Sequence, residues 1–276
     1  MATKLGSTTI SKLYLGSTEI TKAYLGSTEV YSSGAPVTND AFELTVETTA
    51  ANETFLLPMT GVTSIDVDWG DGTVDTGITS DDPTHVYATA GTYSISVTGT
   101  ADTVTWSNTS SQRKIITVTN LGDLGWTTFA SSFLGCYDLT SFACGDCNTS
   151  NVTSMYYMFR FATSMTTCDV SAFDTSNVSV IFRAFGNTPS LQSLTGLYAW
   201  DVTSVTFAND LLVNSGNPLT TAEYDATLIA WAAQSVNQNV NTNFGSAIPT
   251  ASGRAARDIL VGTYGWTITD GEGTFT

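Results

Sequence analysis

Cys144-Gly145-Asp146-Cys147 is the stretch of this 276-residue chain whose residue types and spacing come nearest to chemistry. Two thiols three apart suit half a zinc site or a thiol–disulfide couple. Cys136 and Cys168 bring the thiols to four, which also admits a disulfide. Against zinc, there is no second Cys-x-x-Cys, and the single histidine, His85, is far away in sequence. One histidine also leaves no Ser-His-Asp or Cys-His set to assemble. No phosphate-binding or dinucleotide-binding glycine pattern occurs. The chain has 25 carboxylates, so neighbours such as Asp66/Asp68 and Asp81/Asp82 arise by number alone. Glycoside hydrolysis, which needs only two carboxylates, is the least remote enzyme chemistry, but no cleft is implied. The sequence therefore reads as a non-enzyme with no catalytic and no cofactor-binding residues.

Charge narrows the partners. The formal net charge is −16. Residues 1–33 hold Lys4, Lys12 and Lys22 against Glu19 and Glu29, a net of +1. Residues 34–112 hold eleven acids and no Lys or Arg, and residues 113–276 hold twelve acids and six bases. So acidic a middle argues against nucleic acid and anionic membrane. No apolar run approaches 18 residues, so membrane insertion is not expected. The opening MATKLGSTTI has no apolar core of a secretory signal.

The elements that must carry these residues are mostly β. The unit LGST-x-[IV] starts at Leu5, Leu15 and Leu25, with Gly-Ser supplying each turn. The segments between are rich in β-branched and aromatic residues, with Ile10, Lys12 and Tyr14 on one face and Thr9, Ser11, Leu13 and Leu15 on the other. This predicts a short β-meander leader over 1–33, too small to stand without a partner surface. A linker follows at 32–40. Between 34 and 112, Ile65, Val67 and Trp69 alternate with Asp66 and Asp68, and Tyr93, Ile95 and Val97 repeat the pattern.

From 113 to 215 a period of about 26 residues aligns Trp126, Val152, Val178 and Val205, then Phe129, Met155, Ile181 and Ala208, then Phe133, Phe159, Phe185 and Leu212. The i, i+3, i+7 spacing predicts a short helix in each unit. Phe142, Cys168 and Leu194 read as strand positions that stack between coils of a solenoid. Cys144 aligns with Val170 and Leu197, and Cys147 with Phe173 and Trp200, so these cysteines read as buried free thiols in apolar positions. In 216–276, Thr and Glu223 open a helix within 219–234, a second opens at Ser252 and closes near Gly262, and a strand ends the chain as a C-terminal cap.

Three resemblances sharpen this. Trp69-Gly-Asp-Gly-Thr73 followed by His85-x-Tyr87 and Gly91-x-Tyr93-x-Ile95-x-Val97 resembles a polycystic-kidney-disease-type (PKD) domain. That implies an immunoglobulin-like β-sandwich serving as a spacer or interaction module. The repeats NTSNVTSMYYMFRFATSM (148–165) and FDTSNVSVIFRAFGNTPSL (173–191) resemble the BspA-type leucine-rich repeats of bacterial surface proteins, implying an α/β leucine-rich-repeat solenoid with a helical cap. The LGST leader resembles, more loosely, leaders of phage tail and head-fibre proteins.

Asp66, Asp68 and Asp71 are the calcium candidates, for which turn chemistry and a solvated strand face are the competing reading. Tyr156, Tyr157 and Arg160, beside the apolar face of the second repeat, are the ligand-binding candidates, with ordinary half-buried packing as the competing reading. Together these features predict a bacteriophage virion structural protein: a tail or head fibre, or a capsid decoration. It would dock on other virion proteins through 1–33 and present the solenoid to a host surface glycan or protein. The resemblance to fibre proteins implies a homo-oligomer, such as a trimer. The alternatives are a bacterial cell-surface adhesin exported by an unrecognised route, and a ligand-free capsid cement protein.

Overall fold

The computed structural model describes residues 40–276 except residue 108, and, within 1–39, the backbone of six short strands. Residues 1–39 and 40–276 form two compact units. In the first, β1 (Lys4–Leu5) pairs with β2 (Thr8–Thr9), β3 (Tyr14–Leu15) with β4 (Thr18–Glu19), and β5 (Lys22–Leu25) with β6 (Thr28–Ser32), all antiparallel. Each LGST unit closes on itself, with Leu5 opposite Thr8, Leu15 opposite Thr18 and Leu25 opposite Thr28. Two residues between paired positions is the shortest common hairpin connection. The Gly-Ser steps, the faces assigned around Ile10, Lys12 and Leu13, and the linker between Ser32 and Asp40 lie outside the described residues.

In the second unit, β7 (Phe42–Thr48), β8 (Glu53–Leu56), β9 (Met59–Thr60), β10 (Ser64–Asp68), β11 (Val74–Ile78), β12 (Thr84–Tyr87), β13 (Gly91–Thr100), β14 (Thr103–Val104) and β15 (Ile115–Asn120) come first. Alternation sets their faces: Phe42, Leu44, Val46, Ile65, Val67, Ile95 and Val97 are buried, while Asp66 and Asp68 are exposed. Strands β11, β10, β13, β7 and β15 form one antiparallel run, and the pairs β8/β12 and β9/β14 are separate ladders. Phe55, Trp69, Tyr87, Val104 and Trp106 fill the interior.

The run does not stop at β15. Its other edge pairs in parallel with β16 (Ser141–Ala143), followed by β17 (Thr167–Asp169) and β18 (Ser193–Thr195), so one eight-stranded sheet spans both halves. Ser141 lies opposite Thr167 and Thr167 opposite Ser193, a step of 26 residues per coil. Phe142, Cys168 and Leu194 share one rung. Of the aligned apolar positions predicted from the repeat, all are buried except Cys147. Phe133, Phe159 and Phe185 stack across coils with ring centroids 5.4 and 5.5 Å apart.

The short helix predicted in each repeat is absent. Segments 130–135, 156–161, 182–187 and 209–214 are runs of turns. Amides of Phe129, Ser131, Phe133 and Gly135 donate not to residues four back but to carbonyls of Ser154, Tyr156, Met158 and Arg160 one coil on, at 2.7–2.9 Å. Ser131, Tyr157, Arg183 and Asp210 have φ of 61, 58, 48 and 59°. A left-handed residue at one fixed position per coil interrupts any α-helix. The apolar spacing therefore serves turns and lateral ladders, and 113–215 contain no α-helix, which corrects the α/β reading of the repeats.

Turn side chains explain the repeat's polar text. Asn148, Asp174 and Asp201 each accept from the backbone N–H and hydroxyl of the residue two on. Thr149 and Thr175 hydroxyls donate to the carbonyls of Asp174 and Asp201 one coil on, at 3.0 and 2.9 Å. The Asn177 amide donates to the Ser150 carbonyl of the preceding coil at 2.8 Å. Such bonds satisfy backbone groups that a helix or strand would otherwise satisfy.

The cap holds α1 (Thr221–Ala232), β19 (Asn241–Asn243), α2 (Ala251–Tyr264), β20 (Thr267–Asp270) and β21 (Gly273–Phe275). Thr220 and Glu223 form a reciprocal capping box. Helix α2 starts after Thr250, not Ser252, and runs past Gly262 to Gly265, whose φ of 67° stops it. Gln234 accepts from the Val202 N–H and donates to the Trp200 carbonyl, and Asn237 donates to the carbonyls of Thr203 and Val205. The open edge of the last coil is thus closed by side-chain amides together with β19, through the Ala208–Thr242 bridge and the Leu212 N–H to the Asn243 carbonyl at 2.8 Å. Arg257, buried, donates to Asp270 at 2.7 Å, as does the Tyr224 hydroxyl at 2.9 Å. The chain is mostly β and modular, with two α-helices among the described residues.

Candidate functional site

The turn run 156–161 brings all three ligand candidates together. Tyr156 and Tyr157 ring centroids are 4.0 Å apart, and Phe182 of the next coil lies 5.4 and 5.3 Å from them. Phe207 of the coil after stacks on Phe182 at 4.7 Å and 12°, and is 41% exposed. The Arg160 guanidinium sits 4.4 Å from the Tyr157 ring centre and 4.5 Å from that of Phe161. Arg183 lies 5.2 Å from the Phe182 ring and is held by Asp210 through two nitrogens, at 3.0 and 2.7 Å. Hydrogen bonding to Tyr157 pushes the Tyr156 phenol up.

The result is a strip of partly exposed rings crossing three coils, edged by two guanidiniums. Flat π-faces and cations can stack on and hydrogen-bond a ligand, but they supply no nucleophile with a base beside it. Sequence reading missed Phe182, Phe207, Arg183 and Asp210. The signal was there in part, since Phe182 is Tyr156 moved on by one period. Phe207 is not at that position: it is the equivalent of Val180, as the bridges Ser154–Val180 and Val180–Phe207 show.

The calcium candidates each already have partners. Asp66 accepts from the Gly77 N–H at 2.7 Å and Asp68 from the Gly70 N–H at 2.9 Å. Asp71 accepts from the Thr73 N–H and hydroxyl and lies 2.8 Å from His85 Nε2. The Thr73 hydroxyl, then His85, hold its carboxyl down at about 2. Among the described residues no three His, Cys, Asp or Glu side chains gather as a metal site. His85 is stacked on Trp69 at 5.0 Å and meets Tyr87 edge-on at 4.7 Å. Tyr87 donates to the Trp69 carbonyl at 2.8 Å. The W-G-D-G-T and H-x-Y segments thus interlock as one turn.

All four cysteines are free, and Cys136, Cys144 and Cys168 are buried. Burial pushes the thiols of Cys136 and Cys168 up, away from nucleophilic thiolate. The hydrogen bond between Cys144 and Cys147 pushes Cys147 up and draws Cys144 down. Across the parallel strands lies a groove of about 380 Å³ edged by Thr119, Ser141, Thr167, Asp169 and Thr195.

A family model described as "Mycoplasma protein of unknown function, DUF285" matches residues 127–252, the coils after the first turn and the start of the cap. No curated protein and no solved structure matches the chain. No described helix is long and apolar enough to cross a membrane.

Proposed function

We propose that the protein is a non-catalytic bacteriophage virion component, a tail or head fibre or a capsid decoration, that binds a host surface polymer. Residues 113–215 act as a BspA-type leucine-rich-repeat solenoid, closed by the cap at 216–276. The 26-residue parallel register and the match over 127–252 support that reading. Residues 34–112 act as a PKD-like, immunoglobulin-like spacer, in keeping with the Trp69–His85–Tyr87 turn. Residues 1–33 dock on other virion proteins and drive homo-oligomer formation, a role suited to hairpins too short to be stable alone.

The observation that carries the adhesive role is the ring strip of Tyr156, Tyr157, Phe182 and Phe207 with Arg160 and Arg183. Partly exposed stacked aromatics with cations beside them are costly to leave in water and are favoured at binding surfaces. Neither nucleic acid nor bilayer fits a chain of net charge −16.

Deleting residues 1–33 tests the docking role. Incorporation into particles is expected to fall to background while the circular dichroism and melting of the rest stay unchanged. Normal incorporation of the truncated chain would refute docking. Immunogold labelling with antibody to 113–276 locates the protein. Label at a tail tip or on the capsid supports the virion reading, and label confined to cell envelopes favours a cell-surface adhesin.

A further inference from the structure

Six cations lie in 113–276. Five have a carboxylate within 4 Å: Arg113 has Asp138, Lys114 has Glu53, Arg183 has Asp210, Arg254 has Glu272, and Arg257 has Asp270. Arg160 alone has none among the described residues. In a chain with 25 carboxylates an unpaired, half-buried guanidinium is conspicuous, because a buried charge without a counter-charge is costly.

Arg160 lines a cavity of about 230 Å³ together with Gln112, Leu134, Gly135, Tyr137 and Phe161. Among the described residues, Nε of Arg160 and Oε1 of Gln112 are buried with no hydrogen-bond partner. One is a donor and the other an acceptor, and orphaned buried groups of this kind cost about 1–3 kcal/mol each unless something satisfies them. Gly135 keeps the space open. Its φ is 70°, and a β-carbon there would lie 3.3 Å from the Gln112 amide nitrogen and 3.5 Å from the Tyr137 ring. Later coils place Phe161, Asn187 and Asn214 at this left-handed position. They also place Gly186 and Val213 where the second coil has Arg160. The cavity is therefore local to the first two coils and not a by-product of the repeat.

We propose that this cavity binds the carboxylate-bearing ring of an acidic saccharide, a deepening that rests on the adhesive reading above. The terminal nitrogens of the guanidinium pair with the carboxylate, and the Tyr137 and Phe161 rings take the apolar C–H face. A cavity of about 230 Å³ leaves room for one ring entering by its acidic edge.

Titration calorimetry on the full chain tests this, with oligomers of galacturonate, glucuronate and sialic acid, a neutral galactose oligomer, and sodium acetate. At least one acidic oligomer is expected to bind at least tenfold more tightly than the galactose oligomer and acetate, and more weakly as salt rises. Arg160→Gln is expected to weaken it tenfold or more. Gly135→Asn, which suits the left-handed backbone but fills the cavity, is expected to do the same, and covers the case in which Arg160→Gln fails to fold. Binding of no acidic oligomer, equal binding of the neutral one or of acetate, or unchanged affinity in both variants overturns the proposal. A parallel cell-adsorption assay separates the two readings. Adsorption without acidic-oligomer binding removes the cavity and leaves the adhesive role, and oligomer binding without adsorption does the reverse.

Discussion

Asp71 shows how much one side chain can carry at the residue scale. It takes two hydrogen bonds from Thr73 and faces His85, and its carboxyl is held at about 2. The unfolded value is 3.8. A group whose native pKa is depressed adds stability that is present above the unfolded value and lost as pH falls through the native one. The turn is thus expected to weaken between about pH 4 and pH 2. Asp71→Asn should lower stability at pH 7 by about 1 kcal/mol, discounted for its nearness to solvent, and the two proteins should converge at pH 2. Urea midpoints at pH 7, 4, 3 and 2 measure this, and parallel curves would refute it. At this scale the sequence was readable where one motif holds its own partners, as Trp69 to Thr73 and His85 to Val97 do. It was not readable at Arg160, because what makes that residue unusual is that no carboxylate among the described residues lies within 4 Å of it, and spacing along the chain carries no such information.

At the scale of elements, the repeat positions were legible and the local conformation was not. Apolar residues at i, i+3 and i+7 bury on one face of a helix, but they also bury in a run of turns whose amides bond sideways to the next coil. The clue lies at one position per coil: Gly135, Phe161, Asn187 and Asn214 all have positive φ. Gly and Asn favour that region, and Phe161 masks the pattern. The same geometry explains why the rings at 133, 159 and 185 stack flat at 5.4 and 5.5 Å, one coil apart. Phe159 is the middle ring, fully buried, and Phe142 also meets it at 4.7 Å. Phe159→Ala should cost about 3–5 kcal/mol, whereas truncation of an exposed side chain such as Ile259 should cost under about 0.5 kcal/mol. Denaturant unfolding of both variants checks the ratio. A Phe159→Ala loss below 1 kcal/mol would mean that the coils do not bury that ring as a shared core.

At the scale of the whole molecule, β15 decides the behaviour. Composition and the onset of the 26-residue period divide the chain at 112/113, two residues before this strand. Nothing in the pattern I-I-T-V-T-N tells which neighbours it takes, since strand partners are set by contacts distant in sequence. One edge of β15 pairs antiparallel with β7, through Leu44 and Val118, and the other pairs parallel with β16, through Val118 and Phe142. The antiparallel strands and the coils therefore share a sheet, and their buried residues form one cluster running from Phe42 to Ile268. Cutting at 112/113 would leave the fragment 113–276 with an unpaired, apolar edge strand, the usual seed of aggregation. Residues 40–276 are accordingly expected to unfold in calorimetry as a single transition with a heat-capacity change of about 3 kcal/mol/K, from about 12–15 cal/mol/K per residue. The isolated 113–276 fragment should melt at least 10 °C lower or precipitate. Two well-separated transitions in the longer chain, with the later one matching the fragment, would show that β15 joins the halves without coupling them.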